Sequence, residues 1–158
     1  TRRSSDLDIN EDNDMGICYD TIYSIQALNK RYYLLSGTSQ IAAAYPLAVM
    51  KAVSCANGEL KKEIIFVSGN QQTDYLSISY RYVKDNIDTR LFISGNLTFP
   101  RIVYVETQKE ILKPVTVRDK DDIKYIGGEI DVYKLERNKN EIKFINNNES
   151  YHLNDDPF

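Results

Sequence analysis

The 158 residues carry 42% hydrophobic and 27% charged side chains, enough apolar material for the core of one domain and too much for a disordered chain. A net charge of −3 and a pI near 5.2 give a general nucleic-acid or anionic-membrane role no electrostatic support. Twelve tyrosines and no tryptophan are the unusual feature: tyrosine suits strands, where one ring face packs and the hydroxyl finds a partner, and it is enriched in recognition surfaces.

Residues 1–16 hold Asp6, Asp8, Asn10, Glu11, Asp12, Asn13 and Asp14 with little that is apolar, which predicts a mobile acidic tail ahead of a single α+β domain over 17–158. The alternating acids fail as a calcium loop. Counted from Asp6, Glu11 stands where glycine is needed and Ile17 where a bidentate glutamate is needed.

In Ile17–Lys30, Cys18, Ile22, Ile25 and Leu28 fall at helical spacing and predict a first helix. Arg31–Ser36 reads as a short strand ended by Gly37. Thr38–Gly58 then predicts the central helix of the fold. Six alanines favour it, Thr38 or Ser39 can cap it, Pro46 either kinks it or, in the preferred reading, is the first residue of a helix running to Ala56, and Asn57-Gly58 supplies a left-handed terminator. Lys51 and Pro46 interrupt this apolar run, which is too short for the ~20 residues of a membrane span.

Beyond Leu60 the period shifts towards two. Strands are expected at Glu63–Ser68, Tyr75–Val83, Arg90–Ser94 and Arg101–Glu106, with weaker ones at Pro114–Val117 and Ile123–Ile126. Glu129–Leu135 and Glu141–Ile145 form the clearest hairpin, across Arg137–Asn140, with Gly127-Gly128 as a tight turn leading into it. The stretch after Asn146 is polar and reads as irregular. The expected fold class is α+β, with one or two N-terminal helices packed on an antiparallel β-meander of about six to eight strands.

Cys18 and Cys55 are an even pair. In an oxidising compartment they would bridge, closing a loop of about 37 residues and adding on the order of 3–4 kcal/mol. The chain starts at Thr1 with no methionine, as a removed signal peptide or a truncation would each leave it, and the expected location is periplasmic or secreted. Asn96-Leu-Thr98 and Asn148-Glu-Ser150 are glycosylation triplets in expected turns.

The motifs that would mark an enzyme are thin. The single histidine, His152, would have to meet Cys18, Cys55 or a serine across the fold to serve a nucleophile. One histidine and two cysteines do not match a zinc pattern, and Ser36-Gly37-Thr38-Ser39 lacks the lysine of a phosphate loop, so no metal or cofactor is expected. Asp119, Asp121, Asp122 and Glu129 are interleaved with Arg118, Lys120 and Lys124 and read as a solvated charged loop.

The expected role is therefore a non-catalytic, exported protein-binding module of the immunity-protein or inhibitor kind. It would present acidic turns and tyrosines to a partner protein with a basic or cleft-bearing surface. The expected contact residues are Asp85, Asp88, Asp119, Asp121 and Asp122, with Tyr75, Tyr80 and Tyr125 as anchors. An edge strand such as Arg101–Glu106 offers a pairing surface to a second copy. The alternatives are a small hydrolase with a carboxylate or thiol site, and a carbohydrate or small-ligand binding domain.

Overall fold

The computed structural model describes residues 16–42, 45–83, 91 and 100–152, and among these residues the chain is β throughout. The thirteen strands are β1 (Cys18–Gln26), β2 (Arg31–Ala42), β3 (Tyr45–Ala56), β4 (Glu59–Lys62), β5 (Phe66–Ser68), β6 (Gln71–Thr73), β7 (Tyr75–Ser79), β8 (Tyr82–Val83), β9 (Val103–Val105), β10 (Glu110–Arg118), β11 (Lys124–Asn138), β12 (Glu141–Asn146) and β13 (Ser150–His152). One sheet runs β1-β2-β3-β4, with β7 also on β3. The other runs β6-β5-β12-β11-β10-β9, with β8 and β13 on β11.

Both expected helices are strands, and the α+β assignment gives way to a two-sheet β fold. The central segment turns back on itself: β2 and β3 pair antiparallel from Tyr32↔Ser54 to Ala42↔Tyr45. The reason the segment resembles a helix is that β3 is buried on both sides. Ala48, Met50 and Ala52 face the shared core, and the alternating Val49, Lys51 and Val53 are buried as well. Such a strand has no exposed face along its middle and reads as a mostly apolar run interrupted by Lys51, which periodicity cannot separate from a buried helix. Its alanines serve packing, and weak helix propensity yields to tertiary contacts. Asn57 (φ 54°) and Gly58 (φ 78°) are a two-residue hairpin turn into β4, since two successive positive φ angles match the twist of paired strands.

β1 replaces the first expected helix, pairing with β2 from Cys18↔Thr38 to Gln26↔Arg31. The expected Tyr75–Val83 strand is divided. β7 lies on β3, the chain breaks at Tyr80-Arg81, and β8 joins β11 in the other sheet as a parallel pair. A second parallel contact, β5 on β12, adds to the departure from a simple meander. The expected Pro114–Val117 and Ile123–Ile126 strands grow into β10 and β11, while Arg101–Glu106 shortens to β9.

The hairpin across Arg137–Asn140 forms as expected. Gly127-Gly128 does not turn the chain. It lies within β11, where Gly127, Gly128 and Glu129 oppose the single residue Val115, and Gly128 adopts φ 103°. This bulge bends a 15-residue strand without ending it. The segment after Asn146, expected to be irregular, returns as β13 beside Glu129–Asp131. The expected strand at Arg90–Ser94 falls almost wholly outside the described residues, as does most of the acidic tail.

The sheets share one core, to which β1, β2, β3 and β7 contribute Ile25, Leu34, Met50 and Ile78, and the other sheet Phe66, Tyr104, Ile111 and Phe144. Tyr104 bridges the layers edge-on to Tyr23 at 5.6 Å and to Phe144 at 5.5 Å. On the far side of the second sheet, Leu91, Val103, Leu112, Ile130 and Val132 form a smaller apolar cluster. At one end the hairpins are tied together, with Asn29 N donating to Asn140 Oδ1 and Arg137 Nη1 to the Gln26 carbonyl.

Candidate ligand cleft

Alternation along β10 and β11 decides what the space between the sheets contains. Leu112, Ile130 and Val132 point to the outer cluster, so their neighbours Ile111, Lys113, Asp131 and Tyr133 point inward. Lys113 and Asp131 are direct partners across the β10–β11 ladder. They meet a cleft of about 310 Å³ whose other walls are Phe66 and Ser68 of β5, Gln71 and Thr73 of β6, and Tyr75, Leu76 and Ser77 of β7. Phe66 and Leu76 give it an apolar floor, and Ser68, Gln71, Thr73 and Ser77 a polar rim.

The electrostatics of the two charged groups are alike in cause and opposite in sign. Burial lowers the Lys113 ammonium below the ordinary lysine value, and Asp131 only partly offsets this. Burial raises the Asp131 carboxyl above its usual range, with Lys113 opposing and Glu129 reinforcing the shift. Among the described residues no ion pair closes between the two side chains. Tyr133, beside them, has its hydroxyl pushed up by burial and held back by Asn146 and Ser68.

The expected contact residues are scattered. Tyr75 lines the cleft. Tyr80 is buried and donates its hydroxyl to the Pro100 carbonyl at 3.2 Å, so its ring is part of the core. Tyr125 stacks on Tyr82 at 5.2 Å, across the parallel β8–β11 pair. Asp85 and Asp88 lie outside the described residues. Asp119, Asp121 and Asp122 form the turn between β10 and β11, a loop that satisfies much of its own polarity. Asp119 Oδ1 accepts from the Asp121 and Ile123 amides at 2.8 and 3.0 Å, and Arg118 Nη1 donates to Asp122 Oδ1 at 2.8 Å. Asp121 and Asp122 share a shallow hollow with Arg81, Arg118 and Lys124, so its surface is mixed in charge.

The disulfide is excluded by register. Cys18 is level with Thr38, which is level with Ala48, while Cys55 lies seven residues further along β3. That is about 24 Å along the strand, against the ~7 Å that a disulfide spans between Cα atoms. Both thiols are free and exposed. The backbone of His152 pairs with Glu129 in β13, away from either cysteine in the sheet order. Among the described residues no group of three or more His, Cys, Asp or Glu is arranged to hold a metal ion, and no helix is long and apolar enough to cross a membrane.

Sequence reading did not find Lys113 and Asp131. The available signal was a charge at each of two positions that alternate with apolar residues on the inner face of paired strands. Reading it requires the β10–β11 register, which the bulge at Gly127–Glu129 hides. The chain matches no protein-family model, no curated protein and no solved structure.

Proposed function

We propose that this chain is a binding module whose working site is the inter-sheet cleft and whose ligand is small and polar. The observation that carries the reading is the unclosed pair of Lys113 and Asp131. Each charge is partly removed from water, and neither is compensated by an ion pair with the other. A fold selected for stability alone would place apolar residues there, because half-buried charges cost more than well-packed hydrocarbon. A ligand that hydrogen-bonds both groups recovers that cost on binding, and the rim of Ser68, Gln71, Thr73 and Ser77 adds neutral donors and acceptors. Tyr32, Tyr80, Tyr104 and Tyr133 lie in the core and Tyr23 packs against it, which supports a compact cleft over an extended aromatic platform for glycans.

A thermal-shift screen of amino acids, monosaccharides, dicarboxylates and nucleotides tests the proposal. One class should raise the melting temperature of the native chain and shift the Asp131→Asn chain markedly less. If none of the classes stabilises the native chain, or if Asp131→Asn responds equally, the cleft is not the site.

The protein-docking reading has its own support in the Tyr82–Tyr125 stack, where Tyr82 is exposed beside the charged β10–β11 turn. Alanine at Asp119, Asp121 and Asp122 together should then weaken partner binding; unchanged affinity removes the turn from any interface. The export reading no longer has the disulfide as one of its two supports.

A further inference from the structure

We infer that the ligand of the inter-sheet cleft is a zwitterion, an apolar α-amino acid whose carboxylate meets Lys113 and whose ammonium meets Asp131. The inference rests on the cleft being a ligand site and specifies what that site selects. Lys113 and Asp131 are opposite charges on adjacent strands, about 5 Å apart at their Cα atoms by the geometry of an antiparallel pair. They share one wall of the cleft without closing on each other, so the wall presents a cation and an anion side by side. A dianion or a dication would neutralise one of these groups and repel the other. A neutral sugar would hydrogen-bond to both while leaving both charges uncompensated in a partly dry site. A zwitterion answers both at once through charge-assisted hydrogen bonds.

The remainder of the cleft describes the rest of the ligand. Phe66 and Leu76 are almost fully buried and form the floor, which suits a hydrocarbon side chain, and Ser68, Gln71 and Thr73 stand at the rim. The other titratable groups facing the cleft are Tyr75 of β7 and Tyr133 of β11, and Glu129 acts on Asp131 from the same strand. Affinity should therefore fall on acidification, when Asp131 takes a proton, and again at alkaline pH, when Lys113 and the ligand ammonium lose theirs.

The test is isothermal titration of the full chain with L-leucine, leucinamide, N-acetylleucine and methyl glucoside. Leucine should bind, and each blocked analogue should be weaker by at least about tenfold, the value of one lost charge-assisted bond. Lys113→Met should bind leucine and leucinamide alike. Asp131→Asn should bind leucine and N-acetylleucine alike, with folding of each variant verified by circular dichroism. Should either variant fail to fold, the affinity of the native chain for leucine across pH supplies the second readout, and a flat profile overturns the inference. Equal binding of the blocked analogues, or preference for the glucoside, overturns the zwitterion while leaving the cleft as a site. No binding of any of the four, together with a blank thermal-shift screen, overturns both.

Discussion

Arg101 and Asp20 join the two sheets through a forked ion pair: Nη1 donates to Asp20 Oδ2 at 2.8 Å, Nη2 donates to Asp20 Oδ1, and Nη2 also donates to the Ser36 carbonyl at 3.0 Å. Ser36 returns the contact, its hydroxyl donating to the Ile102 carbonyl at 2.6 Å. The side chain of Arg101 is only 4% exposed and that of Asp20 41%. The guanidinium is therefore the buried member, and the Asp20 carboxylate reaches it from the register shift at Tyr19/Thr21 in the edge strand β1. Asp20→Ala removes this carboxylate from the buried guanidinium. The expected loss is about 2 kcal/mol, below the ~3–5 kcal/mol of a fully buried pair because water reaches Asp20. Urea unfolding measures it, and an unchanged midpoint would show that the remaining surroundings of Arg101 satisfy its charge without Asp20.

The same pair sets an acid limb. Its hydrogen bond with Arg101 holds the Asp20 carboxyl below its ordinary value of 3.8, against a smaller opposing effect of burial. A carboxyl depressed in the folded state contributes stability that is fully present above its unfolded value and lost as pH falls through the folded one. The native chain should lose this contribution on acidification below about 4, and the Asp20→Asn chain should lack that step. Melting temperatures between pH ~2.5 and 6 compare the two.

Lys113 and Asp131 predict the reverse of a stabilising pair. Asp131 is raised in the fold, so its contribution is present below the unfolded value and is lost as pH rises through the folded one. Lys113 is lowered, so its contribution is present above the unfolded lysine value and is lost as pH falls through the folded one. Between those windows both groups are charged and both weaken the fold. Replacing the two together, Lys113→Met with Asp131→Leu, should raise stability at pH 7 by about 1 kcal/mol while abolishing ligand binding. A fall in melting temperature would show that other groups already compensate these charges.

Gly37 is required by close approach. A Cβ there would lie 2.6 Å from the Cys18 carbonyl oxygen, which is backbone and cannot move aside without lifting β1 from β2. Gly37→Ala should cost about 2 kcal/mol or more. Gly58→Ala meets nothing within 4 Å but must hold φ 78°, and should cost about 1 kcal/mol. Equal losses at the two positions would mean that β1 yields freely.

Cys18 and Cys55 should both react with a thiol reagent in the native protein, and serine at either should change stability by less than about 0.5 kcal/mol. Peptide mapping without reductant checks the same point. An intramolecular Cys18–Cys55 crosslink in folded protein would contradict the β1-β2-β3 register.

The sequence by itself determined the parts of this protein whose signals are local. The β11–β12 hairpin follows from its alternation and turn, and strand character was legible at Arg31–Ser36 and Tyr75–Val83, although β2 runs past Gly37 to Ala42 and the second stretch divides into β7 and β8. Tertiary structure decided the rest. The stretch from Ala48 to Val53 is buried at every position because β3 is covered on both faces, and only the pairing with β2 distinguishes that from a buried helix. Asn57-Gly58 can end a helix or turn a hairpin, and the partner strand β4 selects the turn. The bulge at Gly127–Glu129 shifts the register by which Lys113 finds Asp131. Those residues lie 18 positions apart in sequence and become neighbours only because β10 and β11 pair side by side in one sheet. A charge pair created by register leaves no motif in a linear chain, which is why the candidate site emerges only with the sheets assembled.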